Sequence, residues 1–377
     1  MTTELTAEET ALIAVAKEFA ATRITPFAAQ WEASHSYPLE TFSAAAELGL
    51  TRLLAPKELG GLAVSVPAMA AIVEALASAC MAFTFGLVVH NNLIGNIANN
   101  GSAAQREKYL PPLMSGEIIG AFLLTEPQGG SDAAAVKTHA RLEGDTWVLD
   151  GEKAWVSNGR VANLLSVYAQ TDPELGSKGI ACFLVDAEAP GVTRQPGYTM
   201  LGGHALGTSG YSFSHCQLNA DAVLLPPGKG FKAAMAGIDL ARLLVAAMCC
   251  GMLKSGLDCA LESTATRQGF GKAVADNQGI QWVLADIATD LEASRLLAYK
   301  AANLLAAGED ATLAAAHAKK FATRVALSRL GDCMQCMGAP GLRDDHPVAR
   351  HFAMAKIAQY LDGTTEIQNM VINRKLR

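Results

Sequence analysis

The spacing of apolar residues changes twice along this chain of 377 residues, and the change restricts the folds that the sequence can adopt. In residues 1–120 and again in residues 229–377, apolar side chains recur every three to four positions, as on the buried face of a helix. Residues 121–228 instead contain short strand-like segments, such as 179–185 and 211–218, between turn residues. The order predicts an α+β protein, mainly α, with an N-terminal all-α domain, a middle β domain and a C-terminal helical domain at these boundaries.

Two short signals predict local structure within this frame. Thr6, with Glu9 three residues later, is typical of a capping box at the start of a helix. The pair Asp150-Gly151 predicts a tight hairpin turn between two strands, because such turns require positive φ angles that these residues adopt readily.

The charge balance excludes some classes of partner. Lys and Arg number 30 against 36 Asp and Glu, and the net charge of −6 opposes binding to nucleic acid or to an anionic membrane. The uncharged run at 75–89 is shorter than the roughly 18 residues that indicate a membrane-spanning helix. The first residues lack the basic and apolar pattern of a signal peptide. We therefore expect a cytoplasmic protein with no nucleic-acid or membrane partner, and the spacing of Cys and His predicts no metal site.

Four local sequences contain more glycine and polar residues than core packing requires. They are residues 125–132 (TEPQGGSD), 153–159 (KAWVSNG), 267–272 (RQGFGK) and 360–368 (YLDGTTEIQ). Glycines beside hydroxyls and a cationic side chain suit a planar or anionic ligand. Each segment also has an ordinary interpretation: a polar turn, a strand with a core tryptophan, a basic helix C-terminus and a turn between helices.

The four segments in this order, together with residues 335–341 (QCMGAPG), resemble the acyl-CoA dehydrogenase family of flavoproteins. The resemblance extends over residues 5–376. It implies an FAD cofactor, a middle β-barrel or sandwich domain and a C-terminal four-helix bundle. It also implies a homotetramer, a dimer of dimers in which a cofactor is shared between neighbouring subunits.

The resemblance also implies which residues bind FAD. On the flavin side they are Phe122, Leu124, Thr125, Gly130, Ser131, Trp155 and Ser157, with Trp155 covering the ring and Ser157 near N5. Arg267, Gln268 and Phe270 would reach the pyrophosphate and adenine bound to a neighbouring subunit. The remaining dinucleotide contacts implied are Gln335, Gly338, Thr364 and Glu366.

The reaction implied is the α,β-dehydrogenation of an acyl-CoA thioester, in which a base removes the α-proton while a hydride leaves the β-carbon for flavin N5. Many family members place a glutamate at the position of Asp362, and others place it where this chain has Ala241. Asp362 is therefore the predicted catalytic base. Because its side chain is one methylene shorter, and Leu361 stands where the family often has tyrosine, we expect a short, branched or alicyclic acyl group, as in the cyclohexane- and cyclohexenecarboxyl-CoA dehydrogenases.

The substrate residues implied by the resemblance are Ser131, Asp239, Arg242, Leu361, Gly363, His90 and Asn91. For His90 and Asn91 a place in the core or on a polar helix surface is the preferred interpretation. The expected electron acceptor is an electron-transfer flavoprotein.

Three alternatives stay open at this point. The chain could be an enoyl-CoA reductase or a base-free eliminating flavoenzyme of the same fold. It could also be a non-catalytic flavoprotein that binds DNA or a partner, although its net charge argues against DNA. Acyl carrier protein could replace CoA.

Overall fold

A computed structural model describes residues 4–376, most of which lie in helices. The α-helices are α1 (Ala7–Phe19), α2 (Ala28–Ala33), α3 (Leu39–Glu47), α4 (Val66–Asn100), α5 (Ala103–Met114), α6 (Gly230–Ala236), α7 (Ile238–Thr266), α8 (Gln278–Ala306), α9 (Thr312–Met337), α10 (Pro347–Ala358) and α11 (Thr365–Leu376). The predicted capping box at the start of α1 is confirmed, since Thr6 accepts from the Glu9 N–H and Glu9 accepts from the Thr6 N–H.

The strands occupy the middle of the chain, apart from one short hairpin near residue 270. They are β1 (Gly120–Leu123), β2 (His139–Glu143), β3 (Thr146–Val156), β4 (Leu164–Gln170), β5 (Ile180–Asp186), β6 (Val192–Arg194), β7 (Ser209–Leu218), β8 (Val223–Leu225), β9 (Gln268–Gly269) and β10 (Lys272–Ala273). One sheet has the order β6-β7-β3-β2-β4-β5-β8, with β1 parallel to β4. The predicted order of helices, sheet and helices is confirmed.

The predicted hairpin turn at Asp150-Gly151 is wrong. Both residues lie inside the continuous strand β3, where the pairing with β7 shifts register between Leu149 and Gly151. Gly151 has a φ of +138°, and a Cβ there would lie 2.6 Å from Thr138 Cα. The dipeptide therefore forms a bulge, which requires the same unusual backbone angles as a tight turn and cannot be distinguished from one by composition. The chain reverses instead at Gly144, with φ +62°, between β2 and β3.

The helices before and after the sheet share one hydrophobic core. This core contains residues from Ala16 to Ala358, and α4 packs against α7, so segments far apart in the sequence are buried together. Two helical stretches, Val66–Asn100 and Gly230–Thr266, are long and apolar enough to cross a membrane by length and composition. Most of the residues in their apolar windows are buried within this chain, as in the core helices of soluble proteins.

Candidate active site

The predicted base lies on the turn that joins α10 to α11. Asp362 has a φ of +50° and the following Gly363 has a φ of +91°, so two successive residues adopt left-handed backbone. This conformation is uncommon for a residue with a Cβ and is found at functional turns. The Gln368 side chain, on α11, donates through Nε2 to the carbonyl oxygen of Gly363 at 2.9 Å and supports the turn from one side.

The carboxylate of Asp362 is available to accept a proton. Its Oδ2 atom is buried and has no hydrogen-bond partner among the described residues. Burial raises the pKa of Asp362 to about 6, although the positive charges of Lys319 and Arg242 act in the opposite direction. A carboxylate with a pKa near neutrality and an unpaired oxygen has the properties of a general base.

Lys319, in α9, was not identified from the sequence. It is completely buried, and its Nζ donates to the carbonyl oxygen of Gln359 at 3.0 Å and to that of Gly363. Burial lowers the pKa of Lys319 to about 8, against the opposing charge of Asp362. The sequence did contain a signal, because Lys319 lies at helical spacing from the buried Ala315 and Ala322. The next residue is also a lysine, Lys320, so the sequence could not indicate which of the two lysines is buried.

Asp239 and Arg242, at the start of α7, bind each other. Arg242 Nη1 donates to Asp239 Oδ1 at 3.0 Å, while the Thr312 hydroxyl donates to Asp239 Oδ2 at 2.7 Å. Arg242 Nε is buried and has no partner in residues 4–376. The alternative base position in α7 is the buried Ala241, which has no carboxylate. Leu361 packs partly buried against the helical core.

On the sheet, the loop after β1 lies against the end of β3. The Ala154 N–H donates to the carbonyl oxygen of Thr125 at 2.9 Å. Beside this bond, Lys153 Nζ donates to Glu126 Oε1 at 2.7 Å, and both side chains are almost inaccessible to solvent. This ion pair, which the sequence did not predict, fixes the segment containing Thr125 to the strand containing Trp155.

Trp155 is 60% exposed and has a φ of +58°. Its interpretation as a core tryptophan is therefore wrong, and its only described ring contact is Tyr198, with centroids 4.7 Å apart. Phe122, on β1, is also exposed, and Leu124 is partly exposed.

The polar groups near these aromatic side chains are free to bind a ligand. The hydroxyls of Thr125, Ser131 and Ser157 have no hydrogen-bond partner in the part of the chain that the structure describes. Gly130 approaches Thr125 so closely that a Cβ would lie 2.9 Å from Thr125 Cγ2. Exposed aromatic rings beside unpaired hydroxyls fit a planar ligand with polar edges, such as a flavin.

His90 and Asn91 lie in the core, in agreement with the preferred interpretation, and the structure does not support their place among the substrate residues. Both are fully buried within α4. Gly120 N–H donates to His90 Nδ1 at 3.1 Å, and His90 Nε2 then donates to the Leu113 carbonyl at 2.9 Å. Asn91 bonds three backbone groups, those of Leu53, Leu50 and Leu87. A side chain with no accessible surface and with bonded polar atoms cannot line an acyl cavity, and burial lowers the pKa of His90 to about 4.

Sequence comparison identifies the family. Models of the acyl-CoA dehydrogenase N-terminal, middle and C-terminal domains match residues 6–117, 121–216 and 228–377. The chain belongs to the acyl-CoA dehydrogenase family. It is therefore an oxidoreductase, and the resemblance found in the sequence is confirmed.

Relatives within this family act on different substrates. Human mitochondrial short-chain specific acyl-CoA dehydrogenase is 37% identical over 96% of this chain and 88% of its own length. Cyclohex-1-ene-1-carbonyl-CoA dehydrogenase of Syntrophus aciditrophicus is 34% identical over 99% of this chain and 91% of its own. An acryloyl-CoA reductase (NADH) of Anaerotignum propionicum is 36% identical over 99% and 95%, respectively.

Solved structures of acyl-CoA dehydrogenases have the same fold. Butyryl-CoA dehydrogenase of Megasphaera elsdenii superposes with a TM-score of 0.95 over the whole of both chains, at 34% identity. Glutaryl-CoA dehydrogenase of Mycobacterium smegmatis, solved with FADH2, has a TM-score of 0.93 over 99% of this chain and 95% of its own, at 27% identity. A chain from a structure of the electron transferring flavoprotein of Acidaminococcus fermentans has a TM-score of 0.96 over 100% and 99%, at 33% identity. The predicted fold class is confirmed.

The other predicted FAD residues lie elsewhere in the chain. Arg267 follows α7, and its Nη1 donates to the carbonyl oxygen of Met337 at 3.0 Å, which brings Arg267 beside Gly338. Gln268 and Phe270 are exposed on the β9–β10 hairpin, as is Gln335 near the end of α9. Thr364 and the exposed Glu366 lie where α11 begins. Their roles toward FAD stay predictions.

Proposed function

We propose that this chain is an FAD-dependent dehydrogenase that introduces an α,β double bond into an acyl-CoA, with Asp362 as the base. The observation that carries the proposal is the buried, unpartnered Oδ2 of Asp362 on a left-handed turn. Bound FAD supplies the acceptor for the hydride that leaves the β-carbon. Thr125, Ser131 and Ser157 would bind its flavin with their free hydroxyls, and Trp155 would cover the ring.

Asp362 takes the proton. Above a pH of about 6 its carboxylate is ionised and Oδ2 can accept the α-proton of the thioester. The backbone N–H of Asp362 has no acceptor within residues 4–376, so it can donate to the thioester carbonyl oxygen as negative charge develops there. The one residue thus provides both the base and one donor for the enolate.

The acyl group is short, branched or alicyclic in this proposal. An aspartate withdraws the carboxylate from the substrate by roughly 1.5 Å relative to a glutamate, and near-attack geometry tolerates little error, so the substrate carbon must approach the turn. Leu361 is smaller than the tyrosine expected there and leaves room beside the base. The relatives named for short-chain and cyclohexenecarbonyl thioesters support this range of substrates.

A homotetramer that transfers electrons to an electron-transfer flavoprotein is the proposed working state. Phe270 is fully exposed, and Trp282, Leu296 and Leu342 are each more than 60% exposed, which is typical of side chains buried by another subunit. The match to a chain in a structure of an electron transferring flavoprotein supports the acceptor.

The test is anaerobic titration of the FAD-loaded protein with straight, branched and cyclic acyl-CoAs, followed by bleaching of the flavin absorbance. We expect cyclic or short branched thioesters to bleach it faster than palmitoyl-CoA. Asp362→Asn should lower the rate of bleaching by about 10²–10⁴-fold, because general-base catalysis is lost. Asp344→Asn, at an exposed aspartate, is the matched control and should leave the rate unchanged. A wild-type rate in Asp362→Asn would exclude Asp362 as the base.

Enoyl-CoA reduction is the second candidate, because the acryloyl-CoA reductase relative is 36% identical over nearly the whole chain. The two functions differ in direction. If NADH and an enoyl-CoA give turnover while saturated thioesters fail to bleach the flavin, the reductase is the correct assignment.

A further inference from the structure

One buried cation beside the active-site turn has no part in the proton transfer described above. Lys319 is completely inaccessible to solvent on α9, and its Nζ donates to carbonyl oxygens on both sides of Asp362. Gln359 lies three residues before Asp362, and Gly363 directly follows it. Burying an ammonium group costs free energy unless the group is paired, so a buried lysine at this position indicates a specific role.

We propose that Lys319 is a positioning residue that holds the Asp362 turn in its active geometry. The inference rests on the proposed role of Asp362 as base. Lys319 does not contact the reacting atoms in this proposal; it acts through the turn.

The turn needs such support for two reasons. Carbonyl groups at the end of a helix lack partners within the helix, and Gln359 directly follows α10. The left-handed backbone of Asp362 is also unfavourable for a residue with a Cβ, and such conformations persist only where surrounding contacts impose them. Lys319, on α9, donates to the carbonyl oxygens of Gln359 and Gly363. The Gly363 carbonyl oxygen also accepts from Gln368 on α11. Two helices, α9 and α11, thereby fix the short segment that contains the base.

Because Lys319 Nζ binds the carbonyl oxygen of Gly363, its positive charge also lies near the base. The charged or titratable groups that act on Lys319 are Asp362 on the turn, Cys249 and Arg242 on α7, and Glu366 on α11. Lys319 and Arg242 are the cations that favour the ionised form of Asp362. The thiol of Cys249 is buried and its pKa is raised to about 12, so it stays neutral. Removal of the Lys319 charge leaves Arg242 as the cation acting on the base.

The experiment compares Lys319→Met, which removes donors and charge, with Lys319→Gln, which removes the charge but keeps an N–H donor on a side chain one methylene shorter. Lys320→Met, at the next residue of α9, is the control. All are measured as FAD-loaded protein with an acyl-CoA that bleaches the wild type. We expect Lys319→Met to reduce the rate of flavin bleaching at pH 7 by at least about 10-fold, with KM within about 3-fold of wild type. Both Lys319 variants should shift the acid limb of kcat/KM upward by about one pH unit.

The variants separate the hydrogen bonds of Lys319 from its charge, and they separate the proposed role of Lys319 from that of Asp362. Lys319→Gln should recover part of the rate lost in Lys319→Met at high pH, where charge no longer matters. Should Lys319→Met fail to fold, Lys319→Gln carries the test through its pH profile. A wild-type acid limb and rate in the Lys319 variants, with Asp362→Asn inactive, overturns the positioning role alone. Wild-type activity in Asp362→Asn overturns the proposed function as well.

Discussion

The ion pair between Glu126 and Lys153 gives the sharpest test of how the sheet presents its functional side chains. Lys153 Nζ lies 2.7 Å from Glu126 Oε1, and the two side chains are 0% and 3% exposed. Burial by itself would raise the pKa of Glu126, but the charge of Lys153 and the hydrogen bonds to the carboxylate outweigh burial and lower the pKa to about 2. Burial lowers the pKa of Lys153 to about 8, against the charge of Glu126, so both groups are charged at pH 7 and each charge depends on the other.

Removal of one partner should be strongly destabilising, and the structure predicts which removal is worse. In Lys153→Met, the Glu126 carboxylate keeps the N–H groups of Lys137 and Thr138, at 2.7 and 2.9 Å. In Glu126→Gln, the amide oxygen can still accept from Lys153, but the Lys153 ammonium loses its anionic partner and has otherwise only the carbonyl oxygen of Leu124 among its described acceptors. Breaking a buried ion pair costs about 3–5 kcal/mol, so we expect about 3 kcal/mol for Lys153→Met and about 5 kcal/mol for Glu126→Gln.

The assay is guanidinium-induced unfolding of the FAD-loaded variants at one protein concentration, with flavin fluorescence and far-UV circular dichroism as probes. The double variant Glu126→Gln/Lys153→Met should lose at least about 2 kcal/mol less than the sum of the single variants, because it leaves no unpaired charge. Lys57→Met breaks the exposed pair with Glu8, whose atoms are 3.0 Å apart, and should cost less than about 1 kcal/mol. The reasoning would be refuted if each single variant lost no more unfolding free energy than Lys57→Met and the two losses added up in the double variant.

Three further predictions follow from the described contacts. Asp362→Asn should stabilise the fold by about 1–3 kcal/mol at pH 8 but not at pH 4. The pKa of Asp362 in the folded protein is about 6 and exceeds the ordinary 3.8, so ionisation of Asp362 reduces the stability of the fold as the pH rises. Urea melts at both pH values measure this difference. Asn91→Leu should cost about 2–4 kcal/mol in the same melts while KM stays unchanged, since it leaves the Leu53 N–H and the Leu50 carbonyl oxygen without their buried partner; a raised KM at unchanged stability would restore a substrate role. Phe270→Ala should change the free energy of unfolding of the subunit in urea by less than about 0.5 kcal/mol. It should nevertheless promote dissociation of the tetramer in analytical ultracentrifugation. An unchanged assembly would contradict the place of Phe270 at an interface.

The sequence by itself determined the local structure and the family. The capping box at Thr6, the change from helical to strand periodicity and the order of the glycine-rich segments are all contained in short windows, where backbone propensity and side-chain period act directly. The choice of Asp362 as candidate base also came from its place in such a segment.

Only the tertiary structure decided which of these residues are buried and what they contact. Asp150-Gly151 became a bulge because β7 pairs with the whole length of β3, and His90 became a core residue because β1 begins beside α4. Glu126 and Lys153 are 27 positions apart, and Lys319 is 44 positions from the Gly363 carbonyl that it binds. Such partners meet through the packing of distant elements, and burial, hydrogen bonding and pKa depend on those partners more than on neighbours in the chain.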